Sequence, residues 1–442
     1  MTEYKRPATK KELEQSFEQI KPYMDATMAS YESSRCLYCF DAPCVSACPT
    51  GIDIPLFIRQ INTGNLPGAA KTIYRANYFG NICGKVCPTE VLCEGACVFN
   101  HQNVKPLEIG RLQSYATSLV IEKNKKLFEL SPSNGRKVAI IGAGPAGISA
   151  ACELRKSGYE VIIFEAKSQA SGLVLYGCAP YKIANKDVLE EVHYLQKQFG
   201  FTLQFNKPVS SPEQLEKLEK EFDAILLGIG LGNTRPLNIS GENLKGCKGA
   251  TEFIESVKIN PLKTKPGKRV VVIGGGNTAM DAASESARLG AEEVVIAYRR
   301  PKVDMRAYEF EYELAKSVGV KGIFNVSPLE ILGEKKVKGV RFIKTYNANG
   351  QLSNVPNSEF ELKCDRVILA TGQSKLTAFL KQIKGLKFDD KGRIIVHPGT
   401  HQTTNLKYFA AGDAVNGGAE VVNAAAEGKL AAKGIHLYIK GK

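Results

Sequence analysis

Apolar positions change their spacing near residue 136, and the change divides the chain into two differently built parts. Before it, Leu13, Phe17, Ile20, Tyr23, Met24 and Met28 recur at near-helical intervals and predict an amphipathic leader helix over residues 11–30. Leu112, Tyr115, Ala116, Leu119, Val120 and Leu127 predict a second helix over residues 112–128. It runs into Ser131-Pro132-Ser133-Asn134-Gly135, a breaker cluster that marks the first domain boundary. From Arg136 onward short β-branched runs alternate with helical segments, the pattern of parallel-sheet α/β units. Residues 138–141 read as a strand, 145–156 as a helix and 161–164 as the next strand. The unit recurs as strand 270–273, helix 277–289 and strand 294–297. Residues 225–230 and 367–372 are apolar strands ending in small residues, suited to crossings between domains that share a cleft.

Each unit turns from strand to helix on a glycine loop. Gly142-Ala143-Gly144-Pro145-Ala146-Gly147 is a complete G-x-G-x-x-G. Gly142 permits the tight turn, Gly144 lets a pyrophosphate approach the backbone, Gly147 allows close helix packing, and the helix start supplies positive potential. Glu165 closes the next strand 23 residues after Gly142, where an acid accepts from a ribose hydroxyl. The second loop, Gly274-Gly275-Gly276-Asn277-Thr278-Ala279, has the same mechanics but a different strand end. Arg299 and Arg300 stand where the first unit has Glu165, and Arg306 follows. A carboxylate there repels a 2′-phosphate and guanidinium groups grip one, so the pattern selects NADPH over NADH, the bland alternative being surface arginines. With a nicotinamide cofactor at one site, the other should hold a flavin. Residues 408–414 form an apolar strand running into Gly412-Asp413, which sets Asp413 at a turn where it accepts from a flavin ribityl hydroxyl.

Composition narrows the classes. The chain has 442 residues, 43% hydrophobic and 24% charged, enough apolar material for two or three cores. No stretch reaches the ~18 to 20 apolar residues of a membrane helix, and no apolar run follows the basic residues Lys5, Arg6, Lys10 and Lys11 as in a signal peptide. The expectation is a cytoplasmic protein with no membrane contact. The net charge of +14 favours anionic partners, yet no Lys/Arg block, no Trp and no stacking platform is present, so no nucleic-acid partner is expected.

Cysteine is the informative count. Eight of twelve lie between residues 36 and 97, as Cys36-x2-Cys39-x4-Cys44-x3-Cys48-Pro49 and Cys83-x3-Cys87-Pro88 followed by Cys93-x3-Cys97. In a reducing compartment a clustered even set reads as metal ligands. Short spacings with a proline after a ligand suit iron–sulfur cubanes, and zinc is the structural alternative. Spacing alone divides the eight into two four-ligand sites.

From Arg136 to the C-terminus the chain resembles flavoproteins with two dinucleotide-binding domains, in which a discontinuous FAD domain embraces an NAD(P)H domain. The resemblance implies FAD at the first loop and NADPH at the second, with the nicotinamide stacking on the flavin for hydride transfer. The implied contacts are Gly142, Gly144, Pro145, Ala146, Gly147, Glu165, Lys167, Gly172, Leu173, Lys182, Gly412 and Asp413 for FAD. For NADPH they are Gly274, Gly275, Gly276, Asn277, Thr278, Arg299, Arg300, Arg306, Ala370, Thr371 and Gly372. Residues 35–113, including Asp41-Ala42-Pro43-Cys44, Ala47-Cys48-Pro49-Thr50, Cys87-Pro88-Thr89 and Ile109-Gly110-x-Leu112-Gln113, look like the N-terminal part of dihydropyrimidine dehydrogenase. They are similar, less closely, to the small subunit of glutamate synthase. Carried across, the first cluster takes Cys36, Cys39, Cys44 and Cys97, and the second takes Cys48, Cys87, Cys93 and the side-chain oxygen of Gln113, leaving Cys83 out. Three positions depart from the family pattern: Ser171 replaces a glycine, Lys182 an arginine and Asn277 an aspartate.

The fold expected is α/β. A helical double [4Fe–4S] domain (1–134) precedes two Rossmann-like domains, the FAD domain (135–234 and 375–442) and an inserted NADPH domain (235–374). The resemblance implies an electron-input subunit in which NADPH reduces FAD and FAD feeds two clusters. Only 29 residues follow Asp413, whereas an FMN-bearing (β/α)8 barrel needs ~250, so the substrate site is expected on an FMN-containing partner that reduces uracil or thymine. The alternatives are a glutamate synthase small subunit, a ferredoxin:NADP oxidoreductase, and a zinc-bearing basic interaction module on a vestigial flavoprotein fold.

Overall fold

The computed structural model describes residues 3–348 and 351–441, so the outermost residues of the expected domains, 1, 2 and 442, lie outside it. Contacts gather the chain into two compact units. One comprises Ile20–Leu175, Lys182–Leu231 and Lys375–Lys442 and holds the cysteine-rich helices together with one parallel sheet.

The single leader helix expected over residues 11–30 is instead two, Lys10–Ser16 and Ala26–Ser34. Pro22 lacks the N–H a continuous helix needs, and Asp25 starts the second by accepting from the Met28 backbone N–H at 2.8 Å. Helices Ile54–Asn62 and Leu66–Ala76 begin the same way, on Asp53 and Asn65 with a proline in the first turn. Their faces bury Phe57, Ile58, Ile61, Ala69 and Ile73 in a core that also takes in Leu112 and Ala116. The helix expected over 112–128 spans Ile109–Glu122; Asn124 adopts a left-handed backbone (φ 43°) just beyond and ends it. Helix Gly80–Val86 crosses it backbone to backbone. A Cβ on Gly84 would lie 2.6 Å from the Gly110 carbonyl oxygen, and one on Gly110 would lie 2.6 Å from that of Gly84. Only glycine at both positions allows this approach.

The sheet of this unit runs, edge to edge, Tyr408–Ala410, Ala224–Leu227, Lys137–Ile141, Glu160–Phe164 and Thr202–Gln204, all parallel. Lys137–Ile141 is flanked by strands reached in opposite directions, so a crevice opens at its carboxyl end. Helices Pro145–Lys156 and Val421–Lys440 pack together on one face. The cysteine module is fastened to this part by buried polar contacts. Lys85 pairs with Asp187 at 2.6 Å, and the Tyr78 hydroxyl donates to Glu153 at 2.6 Å.

The second unit comprises Met1–Gln19, Tyr176–Tyr181 and Gly232–Ser374. Its parallel sheet has the same order in its four inner and far strands but takes its edge strand from the start of the segment rather than the end: Cys247–Gly249, Arg366–Leu369, Arg269–Ile273, Glu293–Tyr298, Lys321–Phe324. An antiparallel ribbon of Val326–Gly333, Val337–Ala348, Gln351–Asn354 and Phe360–Lys363 is inserted before the last-entered strand of that sheet. Residues 1–19 were expected with the cysteine module and residues 176–181 with the FAD domain. Phe17, Ala179 and Tyr181 are instead buried in this unit's core, beside Phe253, Met280 and Leu289. No helix among the described residues is long and apolar enough to cross a membrane.

Candidate functional site

At the carboxyl end of Lys137–Ile141 the loop residues named from the sequence converge. Gly142 takes a positive φ of 102°, and a Cβ there would meet the Gly228 carbonyl oxygen at 2.4 Å, so the turn admits only glycine. The Glu165 carboxylate is buried and accepts from the Ala143 N–H and the Lys167 N–H, each at 2.8 Å. It therefore braces the glycine loop. The Ser171 N–H donates to the Ala143 carbonyl at 2.7 Å, and a Cβ on Gly172 would lie 3.3 Å from Gly144 Cα, which folds the segment leading to Leu173 over the loop. Ser171 departs from the glycine pattern yet keeps a left-handed backbone (φ 85°). Its fully buried hydroxyl has no hydrogen-bond partner among the described residues.

Opposite the loop, Gly412 approaches Ala146 and donates its N–H to Glu427 Oε2 at 2.7 Å. Asp413 is largely buried and accepts only a long bond, 3.3 Å, from the Ala419 N–H among the bonds resolved for it; burial raises its pKa above the ordinary carboxylate value. A tight glycine loop, a braced acid, a spare buried hydroxyl and a desolvated carboxylate suit a dinucleotide that brings both phosphate and hydroxyls. Lys182 is buried in the same unit, and the Lys167 side chain is exposed.

In the second unit one cleft of about 810 Å³ collects Gly274, Gly275, Gly276, Thr278, Arg299, Arg300, Arg306, Ala370, Thr371 and Gly372. A Cβ on Gly276 would meet nothing within 4 Å, so the backbone is bare toward the cleft. Gly275 rests on the Tyr298 ring, 2.5 Å from where its Cβ would be. The segment carrying Arg306 is tied to the loop itself: the Arg306 and Ala307 N–H groups donate to the Gly275 carbonyl at 3.0 and 2.9 Å. Asn277 is the one predicted contact that does not line the cleft. Its Oδ1 accepts from the Tyr308 N–H at 3.0 Å.

Sequence reasoning missed Arg235, Ser327 and Gln373, which also line the cleft. Arg235 donates to the Thr371 carbonyl at 3.0 Å and adds a fourth cation. They come from the entry segment, the ribbon and the return segment, and no local motif marks them.

The cysteines form two groups. Cys36, Cys39, Cys44 and Cys97 line one small cavity with Ala42, Ile54 and Phe99. Burial, then the neighbouring thiols, raise the Cys36 pKa and push Cys44 to about 12. Cys48, Cys83, Cys87 and Cys93 form the other group. A hydrogen bond with Cys83, followed by burial, holds the Cys87 proton, and burial, then nearby Glu94 and Cys87, hold that of Cys93. Among the described residues no three His, Cys, Asp or Glu side chains stand arranged to hold a single metal ion of any kind. Spread cages of thiols in apolar walls fit iron–sulfur clusters, and cluster entry displaces the thiol protons. Gln113 is buried, its Nε2 donating at 2.6 Å to the carbonyl of Gly80, the first residue of the helix that carries Cys83. That bond engages the NH2 end of the amide and not Oε1.

Two parallel dinucleotide folds and a cysteine-rich helical module define a pyridine-nucleotide-linked electron-transfer flavoprotein. The pyridine nucleotide-disulphide oxidoreductase family model matches residues 136–428, and the model for dihydropyrimidine dehydrogenase domain II, 4Fe-4S cluster, matches residues 13–125. The glutamate synthase [NADPH] small chain of Escherichia coli (strain K12) is 33% identical, covering 99% of this chain and 96% of that one. The NAD-dependent dihydropyrimidine dehydrogenase subunit PreT of the same organism is also 33% identical, over 96% of this chain and 97% of its own. FprA of Mycobacterium tuberculosis, solved with NADPH, shares the fold at a TM-score of 0.60 with 19% identity, over 70% of this chain and 85% of that one. The chain belongs to the pyridine nucleotide-disulphide oxidoreductase family, in the branch that contains the glutamate synthase small chains and PreT. It is an NAD(P)H-dependent oxidoreductase whose cofactors are FAD and 4Fe–4S clusters. The ranking expected from the cysteine region, with the pyrimidine enzyme ahead of glutamate synthase, is not reproduced over the full length, where both stand at 33%.

Proposed function

We propose that this chain is the NADPH-oxidising electron-input subunit of a larger enzyme, and that its partner, an FMN-containing subunit, reduces uracil or thymine. The reading is carried by the two separate cages of four thiols, held in one chain with a four-arginine nucleotide cleft. When bound, FAD supplies the exchange between a hydride and the single electrons that 4Fe–4S clusters carry. Arg299, Arg300 and Arg306 hold the 2′-phosphate, and the bare glycine backbone takes the pyrophosphate. In the other unit Glu165 and Asp413 accept from cofactor hydroxyls while Gly142 and Gly144 admit the phosphates. Cys36, Cys39, Cys44 and Cys97 hold one cluster, and Cys48, Cys87, Cys93 and Gln113 the other.

An exposed apolar rim supports a docked partner at the first cage. Phe40, between Cys39 and Cys44, is 100% exposed and Leu37, between Cys36 and Cys39, is 57% exposed. A fully solvated aromatic and a half-exposed leucine beside a redox site suit a surface that another chain covers. The pyrimidine assignment rests on Gln113 as a ligand. A second reading, the glutamate synthase small subunit, is favoured by the relative at 33% identity over 99% of this chain.

Native purification with the partner, followed by substrate-dependent NADPH oxidation, decides between them. Uracil-dependent oxidation by the complex and none by the chain alone supports the proposal. Turnover only with glutamine and 2-oxoglutarate supports the second reading, and uracil turnover by the homogeneous chain overturns the subunit assignment.

A further inference from the structure

Gln113, the proposed non-thiol ligand of the second cluster, is held by a peptide group that an acid distant in sequence also holds. Its Nε2 donates to the Gly80 carbonyl at 2.6 Å, and the other end of that same peptide, the Asn81 N–H, donates to Glu191 Oε1 at 2.7 Å. The next N–H, that of Ile82, donates to Glu191 Oε2 at 2.8 Å, and the Tyr74 hydroxyl donates to Oε1 at 2.9 Å. Glu191 is fully buried, on helix Asn185–Phe199 of the dinucleotide-binding part, and Gln113 lies on Ile109–Glu122 of the cysteine module. The Gly84–Gly110 crossing brings helix Gly80–Val86, which carries the bridging peptide, against the Gln113 helix, so that the chain of bonds can form.

The direction of each bond is fixed by chemistry. A backbone N–H only donates, so the Asn81 and Ile82 N–H groups point at Glu191 whether the acid is ionised or protonated, and the Gly80 carbonyl at the other end of the first peptide points the other way. That carbonyl accepts only from the NH2 end of the Gln113 amide, which turns Oε1 away from Gly80.

We infer that Glu191 is a positioning residue for the second cluster: by clamping the Gly80–Asn81 peptide it fixes the rotamer and the amide sense of Gln113, so that Oε1 rather than Nε2 is presented as ligand. The inference deepens the proposed function and rests on Gln113 being a ligand. It gives a physical use to an acid that would otherwise be buried at a cost, since outer-shell partners set the orientation and donor strength of metal ligands. It also couples the cluster to the dinucleotide-binding part through covalent and hydrogen-bonded atoms alone.

The test uses the full chain reconstituted anaerobically, with EPR spectra and potentiometric titration of both clusters. Glu191→Gln keeps size but places a donor against a donor. It is expected to shift the midpoint potential and EPR signature of one cluster only, in the same sense as Gln113→Ala, with FAD content and the other cluster unchanged. Should that variant not fold, Tyr74→Phe removes one donor from the same carboxylate and is read for the same one-cluster shift. If Gln113→Ala alters one cluster but neither Glu191→Gln nor Tyr74→Phe does, the positioning role is wrong and the ligand reading stands. If Gln113→Ala leaves both clusters unchanged, the ligand reading fails and the inference falls with it.

Discussion

Asn277 accepts from the Tyr308 N–H at 3.0 Å, and so joins the start of the second glycine-loop helix to the segment that carries Arg306. With the two bonds from Arg306 and Ala307 to the Gly275 carbonyl, it holds the guanidinium group against the cleft. One such bond contributes about 1 kcal/mol, or roughly fivefold in affinity. Asn277→Ala is expected to weaken NADPH binding by about that factor. Asn277→Asp, which keeps an acceptor and is the residue the family pattern has there, should bind as tightly as wild type. Titration of flavin reduction against NADPH concentration checks both.

The arginines that line the cleft are expected to set coenzyme choice. Arg299→Ala or Arg306→Ala removes a charge-assisted contact, which costs ~1.5 to 3 kcal/mol, or about ten- to a hundredfold in NADPH affinity. NADH, with no 2′-phosphate, should be bound nearly as before. Stopped-flow reduction with both coenzymes is the measurement, and a wild type that already prefers NADH contradicts the assignment. The named coenzymes of the relatives make this comparison pointed, since PreT is called NAD-dependent and the glutamate synthase small chain carries NADPH in its name.

The glycine loops were legible because strand, glycine spacing and helix are all local, and the structure forms both as read. The grouping of Cys97 with Cys36, Cys39 and Cys44 was legible only through family resemblance, because a partner more than 50 positions along the chain leaves no mark in spacing. Pro22 was visible and should have split the leader helix. Arg235, Ser327 and Gln373 were illegible, since each reaches the cleft through tertiary closure of separate segments. Glu191 carried a signal that was not used. It lies three residues after Val188 and four before Leu195, on the apolar stripe of its helix, where an acid must find buried donors.

Cys39 and Cys83 should behave differently on substitution. Cys39 lines the first cage, whereas Cys83 is a hydrogen-bond neighbour of Cys87 and stands outside the proposed ligand set, which takes Gln113 instead. Cys39→Ser is expected to lose one cluster, about half of the bound iron, and Cys83→Ser to keep all of it. Iron and acid-labile sulfide analysis of the two variants, with EPR to identify the missing cluster, decides. Equal loss in both would return Cys83 to the ligand set.

The burial of Glu191 has a consequence for stability against pH. Burial raises its pKa from 4.5 to about 7, outweighing the two backbone N–H bonds and the Tyr74 hydroxyl, which favour the charged form. The folded state therefore holds this proton more tightly than the unfolded chain. The resulting stability is fully present below pH 4.5 and is lost as pH rises through 7, up to about 3 kcal/mol across that window. Glu191→Gln cannot titrate and should lack this component, whatever its absolute stability. Denaturant unfolding of wild type and variant, followed anaerobically from pH 5 to pH 8.5, should show the wild type losing stability relative to the variant, most steeply between about pH 5 and 7. Parallel pH profiles would mean that the carboxylate is already ionised at pH 5, with its three donors winning over desolvation.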